Sequence, residues 1–187
     1  MHAQRTTPRP RAATGARAFR KPDEELAFAT GDTELGAVLI ARSTAGVCSI
    51  LMGSNEDELC DDLEGRFPNH KLVRDDAGLA KDVRKVQRFI EKPAAGLDLA
   101  LDVRGTPWQR RVWSALLGVP AGSTVTYAAL AARLGEPGSA RAVARACAEN
   151  AIALAIPCHR VIRKDGTLSG YRWGVERKRA LLAREAA

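Results

Sequence analysis

The hydrophobic pattern of this chain changes period along its length, and that change restricts it to a mixed fold. From Leu26 short β-type runs follow one another, LAFAT, LGAVLIARS and GVCSILMG, separated by Gly, Asp and Thr turn residues. Three strands in sequence imply an antiparallel meander. The spacing then becomes helical: Glu56 to Phe67 places Leu59, Leu63 and Phe67 on one stripe, and Leu79 to Glu91 places Val83, Val86, Phe89 and Ile90 on another. Pro93 stops the second helix, and LDLALDV (97–103) reads as a further strand. From Thr106 helical spacing dominates. The expected class is α+β, with a small module over residues 25–102 and a second over residues 103–187, and 187 residues bury a core without disulfide or metal staples.

Charge divides along the same boundary. Residues 1–20 carry 5 Arg and no acid, residues 21–102 carry 10 basic against 17 acidic side chains, and residues 103–187 carry 14 against 5. A basic half beside an acidic half describes one module that meets phosphate and one that does not, although an acidic substrate or a membrane surface would read the same charge. Residues 1–24, rich in Arg, Pro, Ala and Thr, are expected to be a disordered basic tail. Such a tail adds non-specific attraction to nucleic acid or is merely a solubilising leader.

The four cysteines, Cys48, Cys60, Cys147 and Cys158, are too widely spaced for a disulfide-dense secreted scaffold and contain no CxxC pair. A reduced, cytosolic protein is the expectation. Cys48, Cys60 and His70 supply three possible ligands without metal-site spacing, so they read as two semi-buried thiols and a loop histidine, with no metal. No apolar stretch reaches the length of a membrane span, and the N-terminus lacks the apolar core of a signal peptide.

In the second module Thr106 can cap a helix whose first position is Pro107 and whose Trp108, Val112, Trp113, Leu116 and Leu117 line one face, both tryptophans being expected in the core. Thr126 can cap a short helix, YAALAARL, that ends at Gly135, and the link Glu136-Pro137-Gly138 leads into SARAVARACAEN. Two short helices joined by a Gly-containing turn form the helix-turn-helix pattern, in which the second helix is the usual reader of DNA. Its five alanines leave it thin, with Arg141 and Arg145 on one side. Such a helix suits close approach to a groove, though tight packing alone also uses alanine.

The run IALAIPCHRVI, Ile152 to Ile162, sets a cysteine and a histidine side by side in an apolar segment expected to be a buried strand. A buried Cys-His-Arg is costly unless something uses it. Neighbours on a strand point to opposite faces, so cooperation between Cys158 and His159 would need a water or a bend.

Pro157, Cys158, His159, Arg160, Val161 and Ile162 resemble the active-site motif of the O6-alkylguanine-DNA alkyltransferases, suicide proteins that take alkyl groups from guanine O6 and thymine O4. RGTPWQRRVW, the helix pair, SARAVARACAEN and DGTLSGYRWGVERKRALLAREA are similar to family segments in family order, and GYRWG resembles the C-terminal part of the adaptive-response (Ada) type. The resemblance is strong from residue 103 and weak before it. It implies a ribonuclease-H-like N-terminal domain, a C-terminal winged helix-turn-helix domain, a monomer in the bacterial cytosol, no cofactor, and alkylated double-stranded DNA as partner, met in the minor groove by the second helix. Cys158 would accept the alkyl group, His159 would act on it through water, and Glu185 would orient the histidine. Asn150 would support the turn into the site. Arg141 would replace the flipped nucleotide, Arg145 and Ala142 would lie against DNA, and Tyr127 would hold the flipped guanine or its phosphate. Pro157, Gly170, Tyr171 and Arg172 would line the base pocket, although some relatives carry a small hydroxyl residue at the position of Arg172. The phosphotriester-repairing cysteine cluster and second helix-turn-helix of the Ada type have no counterpart here, so repair without that sensing function is expected.

The chemistry suits these residue types independently of the resemblance. Displacement at an alkyl carbon needs a soft nucleophile, and thiolate is the best a protein offers. A thiol of ordinary pKa is about 3% ionised at pH 7, so full ionisation gains at most roughly 30-fold. The remainder must come from in-line alignment and hydrogen bonds to the departing base in a tight, dry pocket. A base in a duplex enters such a pocket only when flipped out. Two other readings compete. A non-transferring, alkyltransferase-like lesion binder typically lacks the acceptor cysteine, and a Cys/His hydrolase would need an oxyanion hole and a separated pair. A purely regulatory DNA-binding protein is a further alternative.

Overall fold

The computed structural model describes residues 24–168 and 170–187, so the basic tail lies outside the described residues except for Glu24. β1 (Glu25–Thr33), β2 (Gly36–Ser43) and β3 (Gly46–Gly53) form the expected antiparallel meander. Its second turn needs glycine twice over: Gly46 sits at φ 150, and a Cβ there would stand 2.5 Å from the Ala100 carbonyl oxygen. β1 takes a second neighbour, β4 (Lys71–Arg74), in parallel, giving the order β3-β2-β1-β4. α1 (Glu56–Arg66) and α2 (Asp76–Glu91) bury the stripes expected of them. α2 starts three residues before Leu79 because the Asp75 side chain caps it, accepting from Gly78 N at 2.8 Å.

The strand expected over 97–103 does not form. Val47 N donates to the Ala100 carbonyl at 2.8 Å and Asp102 N to the Val47 carbonyl at 2.9 Å, a single bridge around Leu101. The Asp102 carboxylate, which accepts from Ser43 and Arg104, turns the chain away from the sheet edge after that one bridge.

α3 (Pro107–Leu117) opens with the capping box of Thr106 and Gln109. β5 (Val125–Thr126) leads into α4 (Tyr127–Arg133), and Gly135 at φ 77 ends that helix before α5 (Ala140–Ala148). Trp113 is core and its indole donates to the Ala146 carbonyl at 2.9 Å. Trp108, expected in the core, is half-buried under the Arg111 guanidinium and donates to Ala142 O at 3.4 Å, so both indoles tie α3 to α5. Leu117, expected on the buried face, is 55% exposed because it lies at the edge of the stripe of Val112, Trp113 and Leu116 that α3 buries.

The two halves share one hydrophobic cluster. β3 reaches across it: Ile50 N donates to the Ala151 carbonyl at 2.9 Å and Ala153 N to Ile50 O at 3.0 Å. α6 (Val175–Glu185) closes the chain, with Arg177 Nε on the Leu35 carbonyl at 2.7 Å and Arg184 Nη1 on that of Ile90 at 2.8 Å. Among the described residues no helix is long and apolar enough to cross a membrane.

Candidate active site

The strand expected through Ile152–Ile162 is replaced by tight turns. Cys158–Arg160 form one 3-10 turn, and only Val161–Ile162 (β6) are extended, paired in parallel with β5. The cause is Asn150, fully buried at the end of α5. Its Oδ1 accepts from Ile152 N at 2.9 Å, while Nδ2 donates to the Ile156 carbonyl at 2.9 Å and to Cys158 Sγ at 3.2 Å. One amide thus stands in for the partner strand that Pro157, lacking an N–H, could not engage fully. Leu154 takes φ 68, a left-handed conformation costly for a leucine, held within the turn that Ile156 N closes on Ile152 O at 3.1 Å. Cys158 and His159 therefore lie on a shared bend, not on opposite faces of a strand, and no hydrogen bond joins them directly among the described residues.

His159 is fully buried, and its Nε2 meets Glu185 Oε1 at 2.8 Å. The same carboxylate accepts from Arg160 Nε at 3.0 and 3.1 Å and from Nη2 at 2.8 Å. Burial raises the Glu185 carboxyl, but the hydrogen bonds and charges of His159 and Arg160 outweigh it and bring the carboxyl down to about 2. An ionised carboxylate only accepts, so the imidazole carries its proton on Nε2 and offers the Nδ1 lone pair. Nδ1 is buried and has no protein partner among the described residues. Burial holds the His159 pKa below its usual value against the pull of Glu185, which keeps the ring neutral and able to take a proton.

Burial pushes the Cys158 thiol up to about 11, while the Asn150 hydrogen bond and the nearby Lys178 charge oppose that rise. Lys178 escaped the sequence reading. It is fully buried, donates to the Val161 carbonyl at 2.5 Å, and is coupled electrostatically to Cys158 and Cys147. Lys178, Leu181 and Glu185 share one face of α6, so this helix aims a cation and an anion at the motif.

Around the thiol, Pro157 and Tyr171 are buried, with the Tyr171 ring edge-on to His159 at 6.5 Å and to Trp173 at 5.2 Å. A Cβ on Gly170, at φ 64, would lie 3.6 Å from the Tyr127 hydroxyl, so α4 and this loop converge. Burial raises the Tyr127 phenol to about 12, and it remains a neutral donor. Arg172 does not join this group: it is exposed and paired with Asp62 of α1 at 2.5 Å. On α5 the exposed face consists of Arg141, Ala142, Arg145 and Ala148, opposite buried Val143, Ala146 and Cys147. Arg145 is paired with Glu149 at 2.9 Å, and Arg141 has no ion pair among the described residues.

Among the described residues no three His, Cys, Asp or Glu side chains are placed to hold a metal ion. Cys48 is buried and donates to the Ala41 carbonyl at 3.5 Å, Cys60 is half-buried, and His70 packs edge-on against Phe67 at 5.3 Å.

The family model described as the DNA-binding domain of 6-O-methylguanine DNA methyltransferase matches residues 107–187. The Escherichia coli bifunctional transcriptional activator/DNA repair enzyme Ada is 47% identical over 173 residues, covering 91% of this chain and 49% of that protein. A methylated-DNA--protein-cysteine methyltransferase of Mycobacterium bovis is 53% identical over 88 residues, or 47% of this chain and 53% of the other. The chain thus spans about half the length of the curated relatives it matches. Among solved structures, the Mycobacterium tuberculosis OGT in complex with DNA superimposes with a TM-score of 0.68 at 34% identity, over 87% of this chain and 92% of that one. The Pyrococcus kodakaraensis O6-methylguanine-DNA methyltransferase gives 0.66 at 26% identity over 87% and 99%. Likeness at this identity extends over nearly the whole of a solved relative, and the family model spans α5, the Cys158 turn and the Glu185 helix, so the chain belongs to the O6-methylguanine-DNA methyltransferase family.

Proposed function

We propose that this chain repairs alkylated DNA by transferring the alkyl group from guanine O6 to its own Cys158, once per molecule and without a cofactor. The observation that carries the reading is a buried thiol held by Asn150 on the same turn as a His159 that Glu185 fixes in one tautomer. In the reaction the Sγ–C bond forms as the C–O6 bond breaks, the thiol proton passes through a water to His159 Nδ1, and the departing guanine takes the proton it needs at its ring nitrogen from the Tyr127 phenol, which regains one from solvent as the imidazolium gives its proton up. A resting thiol raised to about 11 suits this order, because ionisation is drawn out by the relay when substrate seals the pocket. Lys178 is a buried cation whose charge acts on Cys158 and would favour the developing thiolate. Tyr127 and the Gly170–Tyr171 backbone, which converge, would grip the flipped base.

The fold supports the same reading. We read residues 25–102 as a ribonuclease-H-like domain and 103–187 as a winged helix-turn-helix domain, acting as a monomer in the bacterial cytosol. The face of α5 bearing Arg141, Ala142 and Arg145 is small and basic enough to enter the minor groove of double-stranded DNA. Thymine O4 adducts present the same alkyl-oxygen chemistry and are a second expected substrate class.

A duplex carrying O6-methylguanine labelled in the methyl group tests this. The expected result is one label per protein, on the peptide containing Cys158, with no second turnover; tight binding without transfer would instead establish the lesion-binder reading. Arg141→Ala separates flipping from chemistry. It should slow transfer from duplex DNA by at least about tenfold, the scale of a lost support for an unstacked base, and leave reaction with free O6-alkylguanine base within about twofold. Equal slowing on both substrates would remove Arg141 from the flipping step.

A further inference from the structure

We propose that Asp62 is a specificity-determining residue: through Arg172 it latches the Gly170–Gly174 loop to α1 and so limits the size of alkyl group that reaches Cys158. The inference rests on the alkyltransferase reading and gives the acidic N-terminal half a part in it.

The loop is built to pivot. Gly170 and Gly174, at φ 64 and 97, bracket just three residues. Two of these, Tyr171 and Trp173, face inward, and the Tyr171 hydroxyl points to Met52 Sδ at 4.0 Å. The third, Arg172, faces outward onto Asp62 at 2.5 Å. Asp62 is held ready for it by Arg66, whose Nε lies 3.3 Å away on the same helix. Between the loop and α1 a cleft of about 510 Å³ is lined by Leu59, Asp62, Arg172, Trp173 and Arg177, so the loop is not packed solidly onto the helix and the ion pair spans the gap. Arg177 also holds the loop end, but its partners are the Trp173 and Leu35 carbonyls, contacts that no change at Asp62 removes. The Asp62–Arg172 ion pair thus ties α1 to the loop that carries Tyr171 against His159, and the loop can loosen at Arg172 while staying anchored at Gly174.

The pair is partly exposed, with side chains 25% and 40% accessible, which bounds its influence to a few-fold change in loop position. The experiment compares transfer rates from oligonucleotides carrying O6-methylguanine and O6-benzylguanine in wild type, Asp62→Ala, Arg172→Ala, the double variant and the exchanged pair Asp62→Arg/Arg172→Asp. The benzyl-to-methyl rate ratio should rise about threefold in each single variant, rise no further in the double variant, and fall back in the exchanged pair. Amide hydrogen exchange of residues 170–174 should quicken in both single variants in parallel. An unchanged ratio, or single effects that add in the double variant, would overturn the proposal. Absence of transfer from both substrates by wild type would overturn the alkyltransferase reading and the specificity role with it, while the exchange rates would still decide whether the latch exists.

Discussion

Cys158→Ser is expected to lower alkyl transfer by at least about a thousandfold while leaving the fold and DNA binding in place. Serine keeps an acceptor where Asn150 Nδ2 now donates to sulfur at 3.2 Å, so the turn from Asn150 to Arg160 retains its organising bonds. Reactivity does not survive the exchange. A hydroxyl is ionised far less than a thiol at neutral pH, and oxygen is a harder nucleophile towards an alkyl carbon. Binding should change by no more than about threefold, because the exposed face of α5 is set by Trp108 and Trp113 and not by the thiol. Labelled transfer and an electrophoretic shift on the same lesion duplex read the two effects. The control is Cys147→Ser, since Cys147 is buried in α5 and electrostatically coupled to Cys158. Full transfer in that control is expected. Label that survives Cys158→Ser and disappears with Cys147 would move the acceptor to α5.

How far the site could be read from sequence follows from which forces act locally. Thr106, Pro107 and Gln109 start α3 through bonds within four residues, and the Gly135 turn ends α4 the same way, so both ends are visible in the string of letters. β4 has four residues, two of them half-buried, and exists because β1 offers it a free edge, which no local pattern records. The misread strand at Ile152–Ile162 has an equally non-local cause. Its β-branched and apolar residues have strand character, but the buried Asn150 amide takes over the hydrogen bonds that a neighbouring strand would have made. Lys178 was hidden between Arg177 and Arg179, where three basic residues look like a solvated face. The helical spacing of Lys178, Leu181 and Glu185 was the available signal. Arg172 shows the reverse case: the resemblance put it in the pocket, whereas Asp62, 110 positions earlier, draws it to the surface of α1.

Glu185→Ala is expected to destabilise the protein by about 3–5 kcal/mol, because it strands both Arg160 and His159 in the interior. At this chain length that loss corresponds to a fall in Tm of about 10 °C. Glu185→Gln separates charge from shape. Its amide oxygen still accepts from His159 Nε2, so the fold should survive, but the imidazolium formed during proton transfer loses its counter-charge and transfer should slow about tenfold, less than the roughly 10²–10⁴ that a general base itself contributes. Acid titration distinguishes this carboxylate from the others. Its pKa falls from 4.5 unfolded to about 2 folded, because the bonds from His159 and Arg160 outweigh burial. A depressed folded value means that the unfolded chain binds the proton first as pH drops. The stabilisation, about 3 kcal/mol, is therefore complete above pH 4.5 and is lost between pH 4.5 and 2. His159 adds a loss of the same sign that begins at its unfolded value of 6.5, since burial keeps the folded ring from charging. The difference in unfolding free energy between wild type and Glu185→Gln, measured by urea denaturation from pH 7 to 3, should shrink below pH 4.5. A difference that stays constant across that window would mean that Glu185 is not ionised in the native protein, and the proton relay assigned to His159 would lose its anchor.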